Sequence, residues 1–73
     1  MDDLVEAYEP QGLRRLRQKR GLTQQELADA AGVSRGCISN IEGGRVKSLT
    51  LTNAVKIAGV FDLDLLEFME VIN

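Results

Sequence analysis

Thr23-Gln24-Gln25-Glu26-Leu27-Ala28-Asp29-Ala30-Ala31-Gly32-Val33-Ser34-Arg35-Gly36-Cys37-Ile38-Ser39-Asn40-Ile41 reads as a helix, a tight corner and a second helix. The first helix opens on a capping box: the Thr23 hydroxyl accepts from an early backbone N–H and Glu26 reaches back to the Thr23 N–H. Leu27, Ala28 and Ala31 then share one face, and Gly32 stands where a chain leaving a helix commonly needs positive φ. Val33 plugs the corner and Ser34 is placed to cap the next helix. Ile38 and Ile41, spaced i, i+3, point back into the protein. The opposite face carries Arg35, Gly36, Ser39 and Asn40, short or hydrogen-bonding residues suited to lying against a polar surface.

Two short helices crossing at a steep angle need a small residue where they touch, which Ala28 supplies, and a sharp corner, which Gly32 supplies. Such a corner projects the outer face of the second helix, and a helix of this size fits the major groove of a DNA duplex. Three stretches, Leu22-Thr23-Gln24-Gln25-Glu26-Leu27-Ala28, Gly32-Val33-Ser34 and Ile38-Ser39-Asn40-Ile41-Glu42-Gly43-Gly44, resemble the phage repressor and Cro family of XRE-type helix-turn-helix proteins. The resemblance extends from about Leu13 to Phe68 and takes in Lys56-Ile57-Ala58, similar to the family's fourth helix. It implies an all-α, compact five-helix lambda-repressor-like domain. The expected helices run from Gln11 to Arg20, Gln24 to Ala31, Arg35 to Glu42, Leu51 to Phe61 and Leu65 to Ile72. Residues 1 to 10 form an acidic N-terminal segment ahead of the domain at 11 to 73.

The resemblance assigns base contacts to the outer face of the second motif helix, Arg35, Gly36, Ser39 and Asn40. Arginine can fork two donors onto guanine O6 and N7, and asparagine can pair twice with adenine. Either side chain can instead meet phosphate. Gly36 departs from the family, which often places a base-contacting side chain there; glycine costs a helix interior about 1 kcal/mol relative to alanine. The phosphate set implied is Gln24 and Ser34 at helix N-termini, where N–H groups and the dipole favour an anion, with Cys37, and with Gly44, Arg45 and Lys47 in the following loop. In the family the arginine matching Arg17 pairs with the glutamate matching Glu42, so a structural ion pair is expected here. Arg14, Lys19 and Arg20 are either solvated charges or further phosphate contacts, because helical periodicity spreads the arginines of the first helix around its circumference. Cys37 reads more readily as a packing residue than as a redox switch, since no histidine is present to activate its thiol.

A net charge of −2 argues at first against nucleic acid. Its distribution reverses that reading. Residues 1 to 9 carry −4, residues 10 to 47 carry +5, and residues 48 to 73 carry −3. The positive field is confined to the motif and its flanks, as attraction of phosphate to one face requires.

A chain of 73 residues buries only about 60% of its unfolded surface, so stability is marginal without a staple or a partner. One cysteine makes no internal disulfide, and with no histidine there is no Cys/His zinc site. Self-association remains. Ala54, Val55, Ile57, Ala58 and Phe61 form the expected buried stripe of the fourth helix, capped by Thr50 or Ser48. Asp64 and Glu67 give the fifth a box-like start. The last helix carries apolar residues on more than one stripe, so Leu65, Phe68, Met69, Val71 and Ile72 are the expected dimer interface; twofold pairing there would set two reading helices about 34 Å apart. Leu4, Val5 and Tyr8 suggest either a short amphipathic turn or a segment without fixed structure.

The expected function is sequence-specific transcriptional regulation by a homodimeric repressor that occludes a promoter by binding a palindromic double-stranded DNA site. The alternative is a protein-interaction module or antitoxin on the same fold. No catalytic residues, metal, cofactor, small-molecule ligand or membrane partner are expected, since no nucleophile-base constellation or phosphate-binding glycine motif appears. The absence of an export leader or long apolar run points to the cytoplasm.

Overall fold

The computed structural model describes residues 4–5, 10–45 and 49–72. A short strand, β1 (Leu4–Val5), precedes α1 (Pro10–Lys19), α2 (Gln24–Ala31) and α3 (Arg35–Glu42). A second strand, β2 (Leu49–Thr50), leads directly into α4 (Leu51–Val60), and α5 (Leu65–Ile72) closes the chain. The bounds of α2, α3 and α5 match the sequence expectation; α1 lies one residue earlier at both ends and α4 ends one residue sooner.

Local chemistry sets the ends. Thr23 Oγ1 accepts from the Glu26 N–H at 3.0 Å while Glu26 Oε1 accepts from the Thr23 N–H at 2.9 Å, completing the capping box. Asp64 and Glu67 repeat the exchange at the start of α5, and Thr50 caps α4 through the Asn53 N–H. Ser48 lies outside the described residues. At the corner Gly32 has φ 75°, and its N–H donates to the Asp29 carbonyl while that of Val33 donates to Ala28. This left-handed closure with an apolar residue next in line recurs after α4, where Asp62 takes the position with φ 57° and Leu63 donates to Ala58.

Leu13, Leu27, Ile38, Ile41, Ile57, Phe61, Phe68 and Ile72 are the largest buried side chains and form one core. α2 packs against both α3 and α4, and α1 packs against α3 and α5. The α1–α5 crossing is close: a Cβ at Gly12 would stand 2.7 Å from the Ile72 Cα, so Gly12 is where the two backbones meet.

Two expectations change. Phe68 and Ile72, assigned to a dimer interface, belong to the monomer core, because α5 turns that stripe onto α1 and α4. Leu65 and Met69 pack partly buried against the same core. Of the expected interface only Val71 is largely exposed, alongside Leu66. On α4, Val55 is 54% exposed and drops out of the buried stripe. The all-α five-helix fold stands, with one addition: Leu4 pairs with Thr50 and Val5 with Leu49 in a short antiparallel ladder. Leu4 and Val5 are thereby joined to the domain. Tyr8 and the acids of residues 1 to 9 lie outside the described residues.

Candidate nucleic-acid interface

α3 divides cleanly between inside and outside. Ile38 and Ile41 are buried, 0% and 2% exposed, whereas Arg35, Gly36 and Asn40 are exposed on the opposite side. Eight residues make a rod about 12 Å long, and Ser34 starts it by accepting the Cys37 N–H on its Oγ at 3.1 Å. The Ser34 hydroxyl keeps its own proton for an external acceptor.

Beside this face lies an open cleft of about 220 Å³ lined by Arg14, Arg17, Gln24, Ser39, Glu42, Gly43 and Arg45. It joins α1, the N-terminus of α2, the end of α3 and the loop beyond. Its floor is a polar network. Arg17 Nε donates to Glu42 Oε2 at 2.7 Å and Arg17 Nη2 to Glu42 Oε1 at 2.9 Å, and Gln24 Nε2 adds a third donor to Oε1 at 3.2 Å. The remaining guanidinium nitrogen, Nη1, donates to the Leu22 carbonyl. Hydrogen bonding to Glu42 raises the Arg17 pKa above its ordinary value. The expected Arg17–Glu42 contact is present, and it neutralises the one carboxylate that lines the cleft among the described residues. Arg14 and Arg45, which line the cleft without an acidic partner among the described residues, supply its net positive charge.

Several expected phosphate contacts change character. Gln24 has one amide proton committed to Glu42 and one left to donate. The Gly44 N–H is spent on the Ile41 carbonyl, so that group has no main-chain donor to offer. Cys37 also leaves the set: its N–H is held by Ser34, and its half-buried thiol lies 3.8 Å from Asn53 Nδ2, at the seam of α3 and α4. Burial pushes the thiol pKa up. Ser39, expected at bases, is half-buried and lines the cleft. Lys47 lies outside the described residues.

Two roles were not legible from the sequence. Arg14 is brought into the cleft by the rotation of α1, which periodicity alone left open. Arg20 turns away: its Nη2 donates to the Phe61 carbonyl at 3.1 Å and its guanidinium sits 5.6 Å from the Phe61 ring centroid, tying α1 to the end of α4.

The family model described as helix-turn-helix matches residues 13–68. The chain belongs to this helix-turn-helix family, of the XRE and Cro-like type. Among solved structures this helix-turn-helix protein is similar to the restriction-modification controller protein C.AhdI from Aeromonas hydrophila. The two are 34% identical, 81% of this chain and 88% of that chain are covered, and the TM-score is 0.73. It is also similar to SinR, the master regulator for biofilm formation, in complex with DNA, at 25% identity, TM-score 0.75, and 81% and 94% coverage; SinR is from Bacillus subtilis. A third is the clp gene regulator ClgR from Corynebacterium glutamicum, at 26% identity, TM-score 0.73, and 85% and 65% coverage. No curated protein sequence matches. Among the described residues, no helix is long and apolar enough to cross a membrane.

Proposed function

We propose that this protein is a sequence-specific DNA-binding transcriptional regulator that reads the major groove with the outer face of α3. The observation that carries the reading is the partition of that helix, Ile38 and Ile41 inward against Arg35, Gly36 and Asn40 outward, with a cationic cleft lined in part by Ser39 of the same helix. Arg35 and Asn40 have the donor geometry to address base edges. Arg14, Arg45, the free Gln24 amide proton and the Ser34 hydroxyl flank them as phosphate contacts, which fix register without carrying sequence information. SinR, a relative of similar fold, is described in complex with DNA, which supports the DNA-binding reading.

The finer reading is a homodimeric, cytoplasmic repressor that occludes a promoter by occupying a palindromic operator. A small core and the exposure of Leu66, Val71 and Val55 support self-association through α4 and α5. Sedimentation at micromolar concentration tests the dimer, with a monomer overturning it. Fluorescence anisotropy with a mixed-sequence duplex at low salt tests the function: binding that weakens steeply with salt is expected. No binding under those conditions would favour a protein-interaction role for the same fold.

A further inference from the structure

The fold explains why glycine stands at Gly32 and Gly12, and it does not explain Gly36. Gly32 occupies the left-handed region, and a side chain at Gly12 would strike the backbone of α5. At Gly36 the backbone is ordinary helix, and the nearest atom to an added Cβ is Ser34 Oγ at 3.9 Å, an unstrained contact. Alanine fits there on both counts and favours the helix. Glycine therefore weakens α3 without benefit inside the chain, and the space it leaves open points outward.

Helical spacing puts Asn40 one turn beyond Gly36 on the same side, with Arg35 adjacent. Both side chains are exposed and without an acidic or hydrogen-bonding partner among the described residues. Between them along the helix, Gly36 presents only its Cα, an apolar CH₂. At the major-groove edge the one group that projects and requires no hydrogen-bond partner is the thymine C5-methyl. Resting on the DNA-reading function above, we propose that Gly36 is a specificity-determining residue whose bare Cα seats a thymine methyl of the operator between Arg35 and Asn40. The Cβ of any other residue would occupy the space that methyl needs.

The test uses the full chain, the duplex that the wild-type protein selects from a random pool, and copies of that duplex with deoxyuridine replacing each thymine in turn. Gly36→Ala is expected to melt at a higher temperature. On the selected duplex it should lose about tenfold or more in affinity, the scale of a mismatched base pair. One thymine-to-uracil change per half-site should weaken the wild type about fourfold, the worth of one buried methyl, and should cost Gly36→Ala nothing further. Equal affinity of Gly36→Ala and wild type for the selected duplex would overturn the assignment. So would indifference of the wild type to every uracil substitution. A wild type that selects no sequence at all would instead bring down the DNA-reading function on which the proposal stands.

Discussion

Arg17 and Glu42 form a two-pronged ion pair, at 2.7 and 2.9 Å, that ties the last residue of the reading helix to the first helix of the domain. Glu42 is 5% exposed, and a carboxylate at a helix C-terminus is opposed by the helix dipole. Three donors from Arg17 and Gln24 offset both penalties. The pair thus fixes α3 against α1 and α2, and with it the direction in which Arg35 and Asn40 project.

Replacing Glu42 with glutamine or Arg17 with methionine is expected to cost about 3 kcal/mol, because either change strands a partly buried charge. The double variant should cost far less than the sum. Urea denaturation of the four proteins measures the coupling; a value near zero would remove the pair from the account of α3 positioning.

Gly12→Ala is expected to destabilise the domain by about 1 to 3 kcal/mol, the range for overpacking a well-filled interior. The added Cβ would meet the Ile72 Cα at 2.7 Å and the Val71 carbonyl at 3.1 Å, and backbone does not yield as a side chain does. An unchanged denaturation midpoint would show that α1 and α5 sit further apart than described.

Stability should fall on acidification partly through Glu26. Hydrogen bonds from the Thr23 main chain, then its side chain, hold the Glu26 pKa below its ordinary value. A folded pKa below the unfolded one means a contribution present above the unfolded pKa and lost as pH drops through the folded value. Thermal melts between pH 6 and pH 3 should therefore be shallower in pH dependence for Glu26→Gln than for the wild type. Parallel curves would contradict this. Because Glu26 is exposed, the difference is expected to be small.

Arg14→Ala with Arg45→Ala should weaken binding to all sequences alike and reduce the slope of log affinity against log salt by about 2, one for each phosphate contact. The stability of the fold should hardly change, since neither side chain has a charge partner among the described residues. A preserved salt slope would move the cleft out of the interface.

Much of the fold and of the site was legible in the sequence because it rests on local chemistry. Thr23 with Glu26, Gly32, and Ser34 set helix ends through contacts no more than a few residues apart, and α2 and α3 fall where those signals put them. The Arg17–Glu42 pair was legible only through the family resemblance, since nothing in its sequence separation of 25 indicates contact. What could not be read depends on tertiary rotation. Phe68 and Ile72 look no different in sequence from Leu66 and Val71, yet the first two are core and the others exposed. Arg14 and Arg20, both on the first basic stretch, part company because one side of α1 faces the cleft and the other faces Phe61. Pairing of Leu4–Val5 with Leu49–Thr50 joins segments more than forty residues apart, and two-residue strands carry no periodicity to announce them.

The central claim, that the outward side of α3 lies in the major groove, is tested most directly by methylation interference on the selected duplex. Methylation of guanine N7 occupies the acceptor that Arg35 is proposed to use. The account predicts that guanine N7 methylation within the bound site blocks binding by the wild type and that Arg35→Ala loses this sensitivity at one position per half-site. Interference confined to adenine N3 in the minor groove, or none that depends on Arg35, would contradict it.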